Sequence, residues 1–450
     1  MNPARRVLSN FFHLSTGELL ARLLAFAAFA HLARVLGSTG FGHLGFVMTV
    51  ATYLQIPVLQ GFDSVGMRDV ARDGGLLRRY AGSILVMRLL AAVGTFAAVA
   101  VTVHSEIRPL LLLFSLTLFP QAVSLKWAFQ AVERNRPVAA ANIASQLVFA
   151  GGAFTIAGPS DLLRAPVAVV AGEAVAALLL GVLFLRQFGW PLPGVSARLF
   201  RESLPLAASS VLGTLLFNFD VLALAWFQPA SAVGLYTAVY KLVLLFATPL
   251  TLFQISMLPT LARSDGDLGR TAAPVLRYLA VVFLPLPFVG LLVAPQLLTL
   301  LYGAEYSGGS AALQILLASL PWMAFRSLFR IILVSYRLQR LDLRTVLAGT
   351  LANMAVDLAL VPRWGVAGAA VATLSSELAI FGMSYYYTWR RVQALAVAAH
   401  CWRPLLAAAA AAGAGMAVTS LPARLAAVGV VYLALVFATR AVTWKEIAAR

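Results

Sequence analysis

The sequence predicts an all-α polytopic membrane protein of about fourteen spans, with two six-helix lobes around a central cavity and two extra C-terminal helices. Three observations carry that prediction. Of 450 residues, 61% are hydrophobic and only 11% charged, with a mean hydropathy of +0.87, whereas a soluble domain carries roughly a quarter charged residues. The apolar residues come in blocks of about 20, long enough to cross a ~30 Å hydrocarbon core as helices, rather than in the strict alternation of a barrel strand. Two stretches of the first half are also echoed in the second. This composition excludes a cytosolic enzyme, a disulfide scaffold and a disordered tail protein. The single cysteine, Cys401, allows no internal disulfide, and the five histidines show no metal-ligand spacing.

Taken in order, the apolar blocks lie near 15–35, 42–62, 81–103, 110–131, 139–158, 166–186, 203–226, 232–261, 275–299, 310–334, 344–361, 367–389, 404–420 and 425–440. Ala28-Phe29-Ala30 imitates a signal-peptide cleavage site. Glu18 and Arg22 interrupt the apolar region such a peptide needs, so the first block is expected to be a span. The eleventh is short, and the last two could form one re-entrant hairpin. The expected organisation is an N-terminal lobe over 1–186, a cytoplasmic linker over 187–202, a C-terminal lobe over 203–389, and a loop with two further helices over 390–450. All loops expected outside are about ten residues or shorter. Function is therefore expected inside the bilayer.

The formal charge is +17, from 34 basic residues against 17 acidic ones, and 31 of the basic residues are arginine. With the N-terminus inside, 23 of them fall in cytoplasmic segments and five in the opposite loops, leaving six in spans. The positive-inside rule accounts for that bias and places both termini in the cytoplasm. No basic groove interleaved with aromatics is visible, so nucleic acid is not an expected partner.

Residues 34–72 and 226–263 share a pattern in which Gly42 aligns with Gly234 and Ala71-Arg72 with Ala262-Arg263. PVAVVAGEAVA (166–176), with Glu173, is echoed by AAVATLSSELA (369–379), with Glu377. An even number of spans per repeat gives both halves one orientation, related by an axis along the membrane normal. Two such lobes facing each other would enclose a cavity, as an alternating-access transporter requires.

ARVLGSTGFGHLGFV (33–47), GFDSVGMRDVAR (61–72), FNFDVLALAWF (217–227), SAVGLYTAVYKL (231–242), LYGAEYSGGSAALQILL (301–317) and VDLALVPRWGVAGAAVATLSSE (356–377) occur in that order. Together they resemble the bacterial polysaccharide flippases of the Wzx type, in the MOP exporter superfamily with the lipid II flippases and MATE drug exporters. That resemblance implies two six-helix lobes around a cavity in the bacterial inner membrane. It also implies transport of an undecaprenyl-pyrophosphate-linked oligosaccharide from the cytoplasmic to the periplasmic leaflet, for O-antigen, capsule or exopolysaccharide synthesis. The expected partners are that lipid-linked substrate, the bilayer, a polysaccharide polymerase and a chain-length regulator. Family members often carry Asn where this chain has Asp357.

Ionisable groups within spans are costly and usually face an interior or a water-filled cavity. The basic ones here are Arg22, Arg88, Lys126, Lys241, Arg326 and Arg330, and the acids are Glu18, Glu173, Asp220, Asp357 and Glu377. Arg22, Arg88, Arg326 and Arg330 are the substrate-binding candidates, since guanidinium grips phosphate oxygens in a bidentate way. Arg22, Arg88 and Arg326 lie at ~10–16 Å from the cytoplasmic helix ends, where a cavity between the lobes could gather them. Arg22 has an alternative in an ion pair with Glu18, four residues before it. Arg88, Arg326 and Arg330 have no acid within four residues; Arg88 and Arg326 are expected to be unpaired, and Arg330 has an alternative in snorkelling. Lys126, near a helix end beside Trp127, is expected to snorkel.

Asp220, Lys241, Glu173, Asp357 and Glu377 are the coupling or gating candidates, with Asp220 and Lys241 at similar depth as either an ion pair or a gate. Tyr385, Tyr386, Tyr387 and Trp389 read as an interfacial anchor. Gly37-Ser38-Thr39-Gly40-Phe41-Gly42 follows no strand and lacks the Lys-Ser/Thr ending of a phosphate loop. With no ATPase motif and no catalytic triad, no enzyme activity and no cofactor are expected, and a proton or sodium gradient is the energy source to consider. A lipid II flippase and a MATE-type drug exporter are the transport alternatives. A membrane polysaccharide polymerase or ligase is the alternative from another class, disfavoured because such an enzyme would need a long periplasmic loop.

Overall fold

The computed structural model describes the backbone of residues 3–262 and 268–439, and side chains outside 1–19, 212, 216–217, 249, 251–267, 269–270 and 440–450. Among the described residues every regular element is helical. The helices are α1 (Pro3–Leu59), α2 (Phe62–Arg72), α3 (Leu77–Thr102), α4 (Arg108–Ser115), α5 (Leu118–Ala122), α6 (Lys126–Ala131), α7 (Asn135–Phe154) and α8 (Arg164–Phe188), then α9 (Ala197–Phe227) and α10 (Ala230–Ala262). They continue as α11 (Leu268–Phe283), α12 (Pro285–Tyr302), α13 (Ser310–Ser335), α14 (Gln339–Arg391), α15 (Val397–Met416) and α16 (Leu421–Ala438).

Among the described residues, ten helical segments are long and apolar enough to cross a membrane, or eleven if the bent pair Ala197–Leu215 and Asn218–Phe227 is one span. Two of the ten are double length. α1 breaks at Gly37 (φ 69°) and α14 at Gly365 (φ 52°), a left-handed backbone that costs glycine little and other residues more. These breaks fall where the sequence separates its first from its second span and its eleventh from its twelfth. Counting their halves separately, with the bent pair and α15, reaches the fourteen expected.

Two differences from the sequence reading matter. The fourth span is not one helix but α4, α5 and α6 in series. Segment 63–72, expected to lie in a cytoplasmic stretch between the second and third spans, belongs to an amphipathic helix whose Phe62, Val65 and Val70 are buried.

The chain divides into two compact units. The first holds Met1–Ala225 with Pro229–Ala238, and the second Trp226–Gln228 with Val239–Arg450. In lipid, helix association cannot draw on the hydrophobic effect, so close packing of small side chains and rings does that work. In the first unit Phe62, Ile84, Trp127, Phe129 and Phe184 are buried together. Phe29 of α1 lies 5.0 Å from Phe149 of α7 between ring centroids. His31 anchors the same pair of helices through its Nε2, 3.0 Å from the Ile156 carbonyl.

In the second unit α15 and α16 bury Ala407, Ala411, Val428 and Tyr432 against Tyr278, Phe288 and Leu292 of α11 and α12. Tyr432 donates to the Val281 carbonyl at 2.6 Å. Arg424 donates to the carbonyls of Val418 and Leu292, each at 2.9 Å. At 1.5 Å per residue α15 and α16 reach about 30 and 27 Å, so each is long enough to be a span.

Candidate functional site

The first unit contains a polar cavity of about 260 Å³. α1 brings Arg22 to it, α7 brings Asn142, Ser145 and Gln146, α8 brings Glu173, and Lys126 enters at the head of α6. The α7 residues stand at i, i+3 and i+4, so one helix face carries all three. Lys126 is there because the fourth span is broken: a helix begins at Lys126 and buries the adjacent Trp127. Two cationic groups, one carboxylate and three neutral hydrogen-bonding side chains thus share one small space in an otherwise apolar bundle. Lys126, expected to snorkel, thus lines this cavity. The Glu18 side chain that might pair with Arg22 lies outside the described residues.

Arg88 also belongs to the first unit but lines no part of this cavity. It is 1% exposed, and its guanidinium donates to Asp63 Oδ1 at 2.7 Å. In the second unit Arg326 is ion-paired with Glu377, and Arg330 Nε lies 3.3 Å from Asp342 Oδ2. The expectation that Arg88 and Arg326 are unpaired is thus corrected, while Arg330, given snorkelling as its alternative, is half exposed beside its carboxylate. The reason is physical: a lone buried guanidinium leaves a desolvated charge, and the partner can come from any neighbouring helix. A search within four residues of one helix cannot find it. Asp63 sits on α2, in a stretch the sequence reading placed between spans, and Asp342 in the first turn of α14.

Asp220 is 3% exposed and accepts a hydrogen bond from Tyr236, both in the first unit. Lys241 falls in the second unit. Asp357 is fully buried, one turn after Asn353, which is 1% exposed. The aromatic run divides. Tyr385 packs on Phe329 and Phe381, at 5.5 and 6.1 Å between centroids, while Tyr386 and Trp389 are about half exposed and hold Arg390 over their faces. Among the described residues no group of three His, Cys, Asp or Glu side chains could hold a metal ion.

The sequence reading missed Asn142, Ser145, Gln146, Asp63 and Asp342. The helical spacing of the first three was visible, but uncharged polar residues stand out little in a chain searched for charges.

Residues 7–264 match the family model described as "Polysaccharide biosynthesis protein". The chain belongs to that family. No curated protein matches the sequence. Among solved structures it is similar to the lipid II flippase MurJ in an inward closed conformation, with a TM-score of 0.77 and 12% identity over 97% of this chain and 99% of that one. An inward-facing multidrug resistance MATE transporter of the MOP superfamily matches with a TM-score of 0.66 and 14% identity, over 83% and 94% of the two chains. A MOP superfamily transporter from Pyrococcus furiosus Vc1, described as having a binding pocket of reverse polarity, matches at 0.57 and 13%, over 87% and 96%. At such identities these likenesses establish the fold. This family member therefore has the MOP transporter fold, as the resemblance to Wzx-type flippases implies.

Proposed function

We propose that this polysaccharide biosynthesis protein is a flippase. Its cargo is an undecaprenyl-pyrophosphate-linked oligosaccharide, carried by alternating access from the cytoplasmic to the periplasmic leaflet of the bacterial inner membrane. The observation that carries the reading is the cavity of Arg22, Lys126, Glu173, Asn142, Ser145 and Gln146 within an apolar helix bundle. Cations outnumber carboxylates there, which favours an anionic ligand, and amide and hydroxyl groups suit the oxygens of phosphate or sugar. A cationic drug would be better served by the opposite balance. In this scheme Arg22 is the first contact of the pyrophosphate. Arg88, Arg326 and Arg330 join it only if their carboxylate partners are exchanged for cargo during the cycle. Asp220, Lys241, Glu173, Asp357 and Glu377 are the groups proposed to couple the cycle to a proton or sodium gradient. Both termini in the cytoplasm, with a polymerase and a chain-length regulator as working partners, complete the proposal.

The test is reconstitution. Proteoliposomes containing the protein and a polyprenyl-pyrophosphate oligosaccharide are assayed for sugar exposed on the far leaflet by an impermeant glycosidase. Flipping is expected with the oligosaccharide, and replacing Arg22 and Lys126 together by Ala is expected to remove it. Transport of lipid II alone, or of organic cations alone, would overturn the assignment in favour of those cargoes.

A further inference from the structure

A second cavity in the first unit, of about 480 Å³, is of a different character. Phe62 at the start of α2, Met87 and Leu90 of α3, and Val195 and Phe200 at the head of α9 form its walls, and Arg201 is its one ionisable group. Its size falls within the ~300–1,000 Å³ of ordinary ligand sites. Leu90 is 65% exposed and leads onto Val93 and Val101, also exposed, so the cavity opens onto an apolar face of α3 of the kind that meets lipid.

Arg201 is distinguished from its neighbour by its lack of partners. Arg198, one turn earlier, is tied to Glu202 at 2.7 Å, whereas Arg201 has no carboxylate partner among the described residues. An apolar space of this size left empty forfeits the dispersion contacts of its walls, so bilayer hydrocarbon fills it. A chain already in hydrocarbon gains little by entering an apolar pocket, so the choice among lipids rests with the headgroup. One guanidinium at the rim matches one singly charged phosphodiester.

We propose that this cavity is a binding site for an anionic bilayer phospholipid, with one acyl chain between Phe62, Met87 and Phe200 and its phosphodiester on Arg201. Basic pockets between membrane helices recognise lipid headgroups in this way. The site is separate from the polar cavity proposed for cargo, and the proposal stands whether or not the flippase reading holds.

The experiment uses the full chain in nanodiscs of equimolar phosphatidylglycerol and phosphatidylcholine, with a photoactivatable benzophenone side chain in place of Val195. Crosslinked lipid is identified by mass spectrometry. Phosphatidylglycerol adducts are expected to exceed phosphatidylcholine adducts about fivefold. Arg201→Gln should bring the ratio to about one, and Arg201→Lys should keep most of the preference. Arg198→Gln, a change of equal charge on the same surface, should leave it intact. A ratio near one in the parent protein, or equal loss in the Arg198 and Arg201 variants, would overturn the proposal. So would displacement of the phospholipid adduct by added polyprenyl phosphate, which would make the site one for cargo.

Discussion

The single-residue question is which buried charges hold the protein together and which await a ligand. Arg326 and Glu377 are both nearly buried. Removing one leaves the other desolvated, at a cost of about 3–5 kcal/mol, whereas replacing both by apolar groups of similar volume is often neutral. Arg326→Ala is therefore expected to lower membrane yield and thermal stability, and the double variant Arg326→Leu with Glu377→Leu to recover both. Complementation of a flippase-null strain by the double variant separates the roles: activity restored along with stability would make the pair structural. Arg22 and Lys126 differ, because they face a cavity. Arg22→Ala and Lys126→Ala are each expected to lower transport at least tenfold, measured by the glycosidase assay, at near-normal protein levels. Depth in a span marked Arg22, Arg88 and Arg326 out in the sequence. The partners of Arg88, Arg330 and Arg326 were hidden, because Asp63, Asp342 and Glu377 lie 25, 12 and 51 residues along the chain from them.

At the scale of elements, the spans were legible because about 20 apolar residues have no other stable place, and the breaks at Gly37 and Gly365 because nearby charges and glycines marked them. The division of the fourth span was not legible, since its few polar residues, Gln121, Ser124 and Lys126 among them, are too scattered to interrupt a block of about 20 mostly apolar residues. Helix α2 was overlooked for the opposite reason: its charged face resembled a loop. Yet Asp69 on that helix is the hub of a network. Arg68 holds it at 2.7 Å, Tyr80 donates to it at 3.0 Å, and Arg68 also reaches Glu202 at the head of α9. The hydrogen bond from Arg68 comes first among the causes that hold the Asp69 carboxyl below its usual range. A depressed carboxylate adds stability that is present above its ordinary value near 4 and lost as pH falls through its lower folded value. Thermal unfolding in detergent should show Asp69→Asn less stable than the parent protein at pH 7, with the difference shrinking below about pH 4. A constant difference at all pH values would show that this ion pairing contributes no pH-dependent stability.

The whole-molecule signal in the sequence was the internal repeat, and one contact gives it physical content. Gly42 and Gly234, aligned by the repeat, lie against each other within the first unit. A methyl added at Gly42 would sit 1.8 Å from the Ala230 carbonyl oxygen, and one at Gly234 would sit 1.9 Å from the Ser38 carbonyl oxygen. Both glycines lead small-residue crossings, Ser38 with Gly42 and Ala230 with Gly234, of the sort that lets membrane helices approach backbone to backbone. Gly42→Ala and Gly234→Ala are each expected to destabilise the protein by about 1–3 kcal/mol or more through overpacking. Gly94→Ala, where nothing lies within 4 Å, should be neutral.

The same repeat governs orientation. Six spans per half, as the sequence predicts, would return the chain to its starting side, so the charge bias would alternate loop by loop through both halves with one sign. Reporter fusions after residues 75, 198 and 394 should therefore read as cytoplasmic, and those after 106, 160 and 306 as periplasmic. Each fusion point falls outside or at the edge of a long helix, so local unfolding does not confuse the signal. The pairing of 106 with 306, equivalent positions in the two halves, is the decisive part. If the first unit kept this pattern while the second reversed, the halves would be inverted repeats. Alternating access by two like-oriented lobes would then have to be given up.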